Sequence, residues 1–422
     1  IYTYRLAAEN KNCMSESVRK TDQFLLPQEK PGREKGEYDI YPSFPLPAGM
    51  IKTGITALAE QLVSSNSIII DGYVGVDFEA FADKLSAELR DLGKQVSLLD
   101  VSRCLRPEKG IDELIKPFLG GDDPIFGKRT TLELIDFFDE QKLTNMSSDG
   151  KDNIKIIYGC GASLAGRAGT LLYIDLPKNE LQFRARAASV CNLGAVEPAD
   201  PKSMYKRFYF VDWVVLNKHK QNIIEEIDFF IDGQQNELPS WIQGKDAREA
   251  LSVMAKSVFR VRPWFEPGPW GGQWIKNRIK GLNTGVVNYA WSFELIVPEN
   301  GLLLESNRIL LELSFDWLMF KAGKDVLGEH FKQYGYEFPI RFDFLDTFDG
   351  GNLSVQCHPL PGYMKEEFGE DFTQEECYYI LDAGMDAKCN LGFQEDIVPE
   401  EFEAALSRSF LEQLPLDVGK YV

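Results

Sequence analysis

The chain has 422 residues, with 65 Asp and Glu against 46 Lys and Arg and a formal net charge of −19. That balance argues against a nucleic acid or an anionic membrane surface as partner, because both reward basic patches. A hydrophobic content of 44% is ordinary for a globular chain, and no apolar run reaches the roughly 18 residues that span a bilayer. Seven cysteines without a C-x-x-C pair argue against a disulfide framework or a structural zinc site and suit a reducing compartment. With no secretory or transit signal in view, the expectation is a cytoplasmic protein of two or three domains.

Residues 1–55 read as an extended lead-in. Charged residues mix with Pro from Pro27 to Lys35, and Tyr38, Tyr41, Phe44 and Leu46 are placed to pack as an arm on the domains behind it. Residues 56–240 read as an α/β domain. The run Ile68-Ile69-Ile70 predicts a strand leading into a turn with Gly72 and Gly75, and residues 79–92 carry helical periodicity through Phe81, Leu85 and Leu89. Strands are predicted over 96–99, 154–158 and 171–176, and a helix over 132–138. Strands alternating with helices imply a parallel sheet with helices on both faces.

This order resembles the P-loop kinases of the uridine kinase and phosphoribulokinase group, on the strand into Asp71-Gly72, the strand ending Leu99-Asp100, Tyr158-Gly159, and Tyr173-Ile174-Asp175 before Arg184 and Arg186. The phosphate-binding hardware is absent. Val76-Asp77-Phe78 stands where Gly-Lys-Ser would be, and an Asp at a helix start suits the helix dipole but repels phosphate. The domain is therefore expected to be degenerate, with structural or regulatory duty. A second Gly-rich turn, Gly159-Cys160-Gly161-Ala162-Ser163 with Gly166-Arg167, reads either as an anion nest or as a plain surface loop. Residues 232–245 read as a linker, followed by a helix over 247–256. The aromatic runs 208–215 and 264–274 read as packing, with Trp270 set apart.

Residues 245–422 carry the stretch that points to chemistry. Residues 353–357 are β-rich, so Gln356 and His358 would project from one side, about 7 Å apart. Glu376 lies eighteen residues beyond His358 and opens a second β-rich run, 376–381, that could return antiparallel. An amide oxygen, an imidazole and a carboxylate suit one zinc ion held with an open position; the alternative is a polar barrel interior without metal. Cys357 and Cys377 would face the other way and pack.

Several blocks resemble the type I mannose-6-phosphate isomerases, which are zinc-dependent cupins: Pro269-Trp270-Gly271-Gly272, Trp291-Ser292-Phe293-Glu294, Phe338-Pro339, Phe344-Leu345-Asp346, and Leu353 through Pro359. The tail, with Gly392-Phe393-Gln394-Glu395-Asp396 and Val398-Pro399-Glu400-Glu401-Phe402, follows suit. The resemblance implies a jelly-roll fold, Gln356, His358 and Glu376 as ligands of one zinc, a sugar phosphate as substrate, and Trp270 near the sugar. It departs at Gln374 and Asp343, where the family carries lysines, and it lacks a fourth ligand, since the other histidines, His219 and His330, precede the motif. Lys276, Arg278, Lys280 and Arg341 are the basic residues available to a phosphate, or else a solvated face. Asp343 is the local candidate for a proton-shuttling base.

A jelly roll needs about eight strands, more than the segment after Phe342 supplies. The barrel is thus expected to be incomplete at its C-terminus, the missing cupin strands lying in residues outside this numbering or in another chain. The expected function is aldose–ketose isomerisation of a hexose phosphate, with sugar or sugar-phosphate binding without catalysis as the alternative.

Overall fold

In the computed structural model the lead-in beyond residue 17 lies as a strap along the first unit. Residues 18–146, 154–166, 168–297, 299–353, 356–412, 416 and 418–421 are described, which leaves residues 1–17 of the lead-in and Arg167 outside. Leu26 is buried with Leu303 and Leu310, and Arg19 pairs with Glu180. Two short strands come next, β1 (Ser43–Pro45) and β2 (Ile51–Thr53).

The chain then alternates as its apolar runs imply: α1 (Ile55–Leu62), β3 (Ser67–Gly72), α2 (Phe78–Asp91), β4 (Val96–Asp100), α3 (Glu108–Ile115), α4 (Glu140–Asn145), β5 (Ile154–Tyr158), β6 (Thr170–Asp175), α5 (Lys178–Arg186), α6 (Pro201–Arg207), α7 (Trp213–Ile223), β7 (Phe229–Asp232), β8 (Ser240–Gln243) and α8 (Gly244–Met254). The strands form one seven-stranded sheet in the order β2-β8-β7-β6-β3-β5-β4. β3 to β7 pair in parallel, and β8 and β2 close one side antiparallel. Alternate residues of β3 face opposite sides: Ile69 joins one apolar cluster, while Ile68 and Ile70 join the other. Burial on both faces is why this strand is an unbroken aliphatic run.

Two local expectations are corrected. The helix expected over 132–138 is only a 3-10 turn, Leu134–Phe137, because Glu133 and Phe138 on either side are extended. The expected linker over 232–245 is instead part of the sheet: β7 ends at Asp232, and β8 buries Trp241 and Ile242. Its Gly and Pro shape the turn between two four-residue strands.

Beyond α8 come β9 (Trp264–Glu266), α9 (Trp274–Arg278), β10 (Trp291–Ile296), β11 (Gly301–Ser306), β12 (Ile309–Ser314), α10 (Asp316–Leu327) and β13 (Arg341–Leu345). They build two three-stranded sheets, β1-β11-β12 and β13-β10-β9. Asn307 and Arg308, both at positive φ (52° and 68°), turn β11 into β12 as a two-residue hairpin loop requires. The architecture is α/β with additional β sheets.

By contacts the chain divides into two units, Ile1–Glu375 and Glu376–Val422. The strands expected over 353–357 and 376–381 are not formed among the described residues; Ser354 and Val355 lie outside them. A lone hairpin is marginal in water without a third strand or an apolar face to cover, and Tyr379 and Ile380 are exposed. Cys357 and Cys377, expected to pack, are exposed as well. The second unit carries a helix near its end, Pro399–Glu412.

Candidate functional site

Open α/β sheets bind ligands beyond the carboxyl ends of their strands, where the strand order reverses. Here β3 lies between β5 and β6, so that crevice belongs to Asp71. Its carboxylate is fully buried and already surrounded by donors. Gly72 and Gly161 donate their backbone N–H to Oδ1 at 2.7 and 2.8 Å. Ser163 donates its N–H and hydroxyl to Oδ2 at 3.0 and 2.5 Å, and His219 Nε2 lies 2.9 Å from the same oxygen. Burial pushes this carboxyl up, but the adjacent His219 and the hydrogen bonds outweigh it and hold Asp71 below the ordinary range. The Gly159–Ser163 turn is thus a nest whose anion is the protein's own. Ser163, His219 and Asp71 do not form a nucleophilic relay: Ser163 Oγ and Asp71 Oδ2 both meet Nε2, whereas a relay uses the two ring nitrogens for different partners. Asp77, which replaces the expected P-loop lysine region, caps α2 by accepting from Ala80 N.

The ends of β6 and β7 are likewise engaged by the chain itself. Asp175 Oδ2 accepts from Ser314 N at 2.6 Å, and Asp232 Oδ2 from Glu312 N at 2.9 Å. Glu312 and Ser314 lie two apart on β12, so they point the same way and lay that strand across the sheet's edge. Helix α10 then begins with Asp316, whose carboxylate meets Lys178 at the start of α5 and stands 3.6 Å from Lys220 Nζ. Lys220 also pairs with Asp175 at 3.0 Å. Both lysines are fully buried, under the faces of Tyr73, Trp213 and Trp317. Burial pushes the Lys178 ammonium below its ordinary value, against the pull of Asp316. None of these residues was marked by the sequence as a site, because Lys178, Asn179, Glu180 and Arg184 sit on a helix polar enough to pass for surface, yet all four are buried.

A second cluster lies on the β9, β10 and β13 sheet, where the blocks 269–272, 291–294 and 344–346 come together. Gly272 N donates to Asp346 O at 2.7 Å, and the Asp346 carboxylate accepts from Ile275 N at 2.7 Å and Phe348 N at 3.0 Å. The glycines are required by close approach. A Cβ on Gly272 would fall 2.1 Å from Asp346 Oδ1, one on Gly271 2.3 Å from Asn288 Oδ1, and one on Gly350 2.3 Å from Trp270 O. Trp270 is buried, edge-on to Trp291 with ring centroids 4.6 Å apart. Glu294 is held by Tyr38, Ser292 and Arg260.

Of the remaining expected residues, Lys276 donates to Val286 O and Val287 O. Arg341 donates to Phe338 O at 2.6 Å, and burial lowers the pKa of its guanidinium. Asp343 is half-buried on β13, opposite Phe293. Arg278 lies over Trp274, and Lys280 pairs with Glu37. Gln356 and His358 are exposed in irregular chain, and Glu376 opens the second unit. Among the described residues no group of three or more His, Cys, Asp or Glu side chains could hold a metal ion. The strands that were to assemble the zinc ligands are not formed among the described residues.

Residues 54–256 match the model of a family described as a domain of unknown function (DUF8485). The match runs from the start of α1 to just past α8. Residues that close the carboxyl edge from above, Glu312, Ser314 and Asp316, lie beyond it. No curated protein matches the chain. No helix among the described residues is long and apolar enough to cross a membrane.

Proposed function

We propose that the chain acts on a hexose phosphate as an aldose–ketose isomerase of the mannose-6-phosphate isomerase kind, with the α/β domain as a non-catalytic scaffold. The observation that carries the reading is the convergence of Trp270-Gly271-Gly272, Trp291 to Glu294 and Phe344 to Asp346, three separated blocks of the resemblance, on one small antiparallel sheet. For the scaffold role the support is the closed carboxyl edge, where Asp71, Asp175 and Asp232 each accept a backbone hydrogen bond from within the chain.

In this proposal Trp270 shapes the floor under the sugar, Lys276 and Arg341 supply positive charge toward the phosphate, and Asp343 moves the proton between C1 and C2, a role worth roughly 10²- to 10⁴-fold. One zinc ion on Gln356, His358 and Glu376 belongs to the proposal by their order in the sequence alone. The second reading, sugar-phosphate binding without turnover, is favoured by the exposure of Gln356 and His358 in irregular chain.

The test is metal content and turnover of the full chain. Zinc at about one ion per chain, lost in His358→Ala, together with conversion of mannose 6-phosphate in a coupled assay, supports the isomerase. Saturable calorimetric binding of the sugar phosphate without conversion supports the second reading. Neither binding nor conversion overturns both.

A further inference from the structure

We propose that Lys178 and Lys220 form an oxyanion-binding site of the α/β domain, filled in this chain from within by the carboxylate of Asp316. This site stands apart from the isomerase reading and uses none of its residues. It takes a carboxylate or a phosphate, the two oxyanions that a pair of ammonium groups recognises.

Three observations carry it. Both ammonium groups are fully buried, a placement that is costly unless an anion sits beside them. Within the stretch that matches the family model, Asp175 pairs with Lys220 and acts on Lys178 only through its charge, while Asp212 is paired to Arg207. One positive charge is left over, and Asp316, outside that stretch, neutralises it. Asp316 accepts from Lys178 Nζ and from Asn217 Nδ2 at 3.4 Å, with Lys220 Nζ at 3.6 Å.

The third observation is a surplus of donors. Tyr173 OH, Trp213 Nε1 and Trp317 Nε1 are buried without a hydrogen-bond acceptor among the described residues, while Lys220 Nζ has Asp175 Oδ1 at 3.0 Å and Asp316 Oδ2 at 3.6 Å. Aromatic rings lie around the lysines: Lys220 Nζ lies 4.7 Å from the Tyr73 centroid and 4.5 Å from that of Trp317, Lys178 Nζ lies 5.7 Å from that of Trp213, and Tyr173 packs edge-on to Trp317. Aromatic faces and unused donors around paired ammonium groups form a pocket for negative charge, and Asp316 anchors the start of α10 by occupying it.

The experiment replaces the internal anion in the full chain. Asp316→Ala is melted against increasing inorganic phosphate, and separately acetate, with chloride at matched ionic strength as control. The melting temperature of the variant should climb with the logarithm of phosphate or acetate concentration, as for a ligand that binds only the folded state, while the parent chain stays flat. Whichever anion acts at lower concentration identifies the preferred class. Lys178→Met added to Asp316→Ala should weaken the effect about tenfold or more. A variant that responds no more than to chloride, or a parent that responds equally, overturns the proposal. Should Asp316→Ala not fold, the neutral pair Lys178→Met with Asp316→Leu is melted instead; recovery of folding supports the site, and continued unfolding overturns it.

Discussion

Asp232 and Asp71, both at strand ends of the same sheet, titrate in opposite senses. Asp232 accepts from Gln234 N and Glu312 N, yet burial and the nearby Glu312 carboxylate raise it to about 7. The unfolded value is about 3.9, so between these values the folded state holds the extra proton and stability falls as pH rises, levelling off above pH 7. The full span amounts to something on the order of 4 kcal/mol. Asp71 lies below its ordinary value, so its contribution is present above the unfolded value and is lost as pH falls through the folded one. Urea denaturation from pH 5 to 8 should show the decline in the parent chain and a clearly flatter profile in Asp232→Asn; identical slopes would assign the decline to other groups. Sequence reasoning marks Asp71 as the end of a strand but not as the ion in the neighbouring Gly-rich turn, since the turn's donors lie 90 and 92 residues away.

Elements are the most legible level. β3, β4, β5, β6 and α2 appear where apolar runs and helical spacing put them, because period and β-branching are local properties of the chain. The 232–245 stretch reads as a linker because four-residue strands flanking a Gly-Gln-Gln and Pro turn leave too few residues to show alternation. The turn between β3 and α2 is set by Gly75, at φ +88° with Leu181 Cδ1 2.5 Å from where a Cβ would sit. Gly75→Ala combines an unfavourable backbone with overpacking, so it should destabilise the chain by about 2–3 kcal/mol, read as a lower urea midpoint at an unchanged slope. An equal midpoint would mean that the turn relaxes at no cost. For 353–357 and 376–381 the local β preference is plain, but a strand is stable only with a neighbour to pair with.

Across the first unit, the central parallel strands are sealed on both faces, whereas β13 leaves one edge of its sheet unpaired among the described residues. Native-state hydrogen exchange should therefore be slowest at the amides of 68–71 and 171–174 and at least about tenfold faster at 341–345; equal protection would mean that the small sheet opens only with the whole unit. The alternation of strands and helices, the two-faced burial of the isoleucine run and the acidic surface balance could all be read from the chain before it folds, because each is written in neighbouring residues or in composition. Which charges lie inside is settled by folding. Lys178 meets Asp316 across 138 residues and Asp71 meets His219 across 148, and a charge destined for burial looks the same in the chain as one destined for water until the partner that neutralises it has been brought alongside.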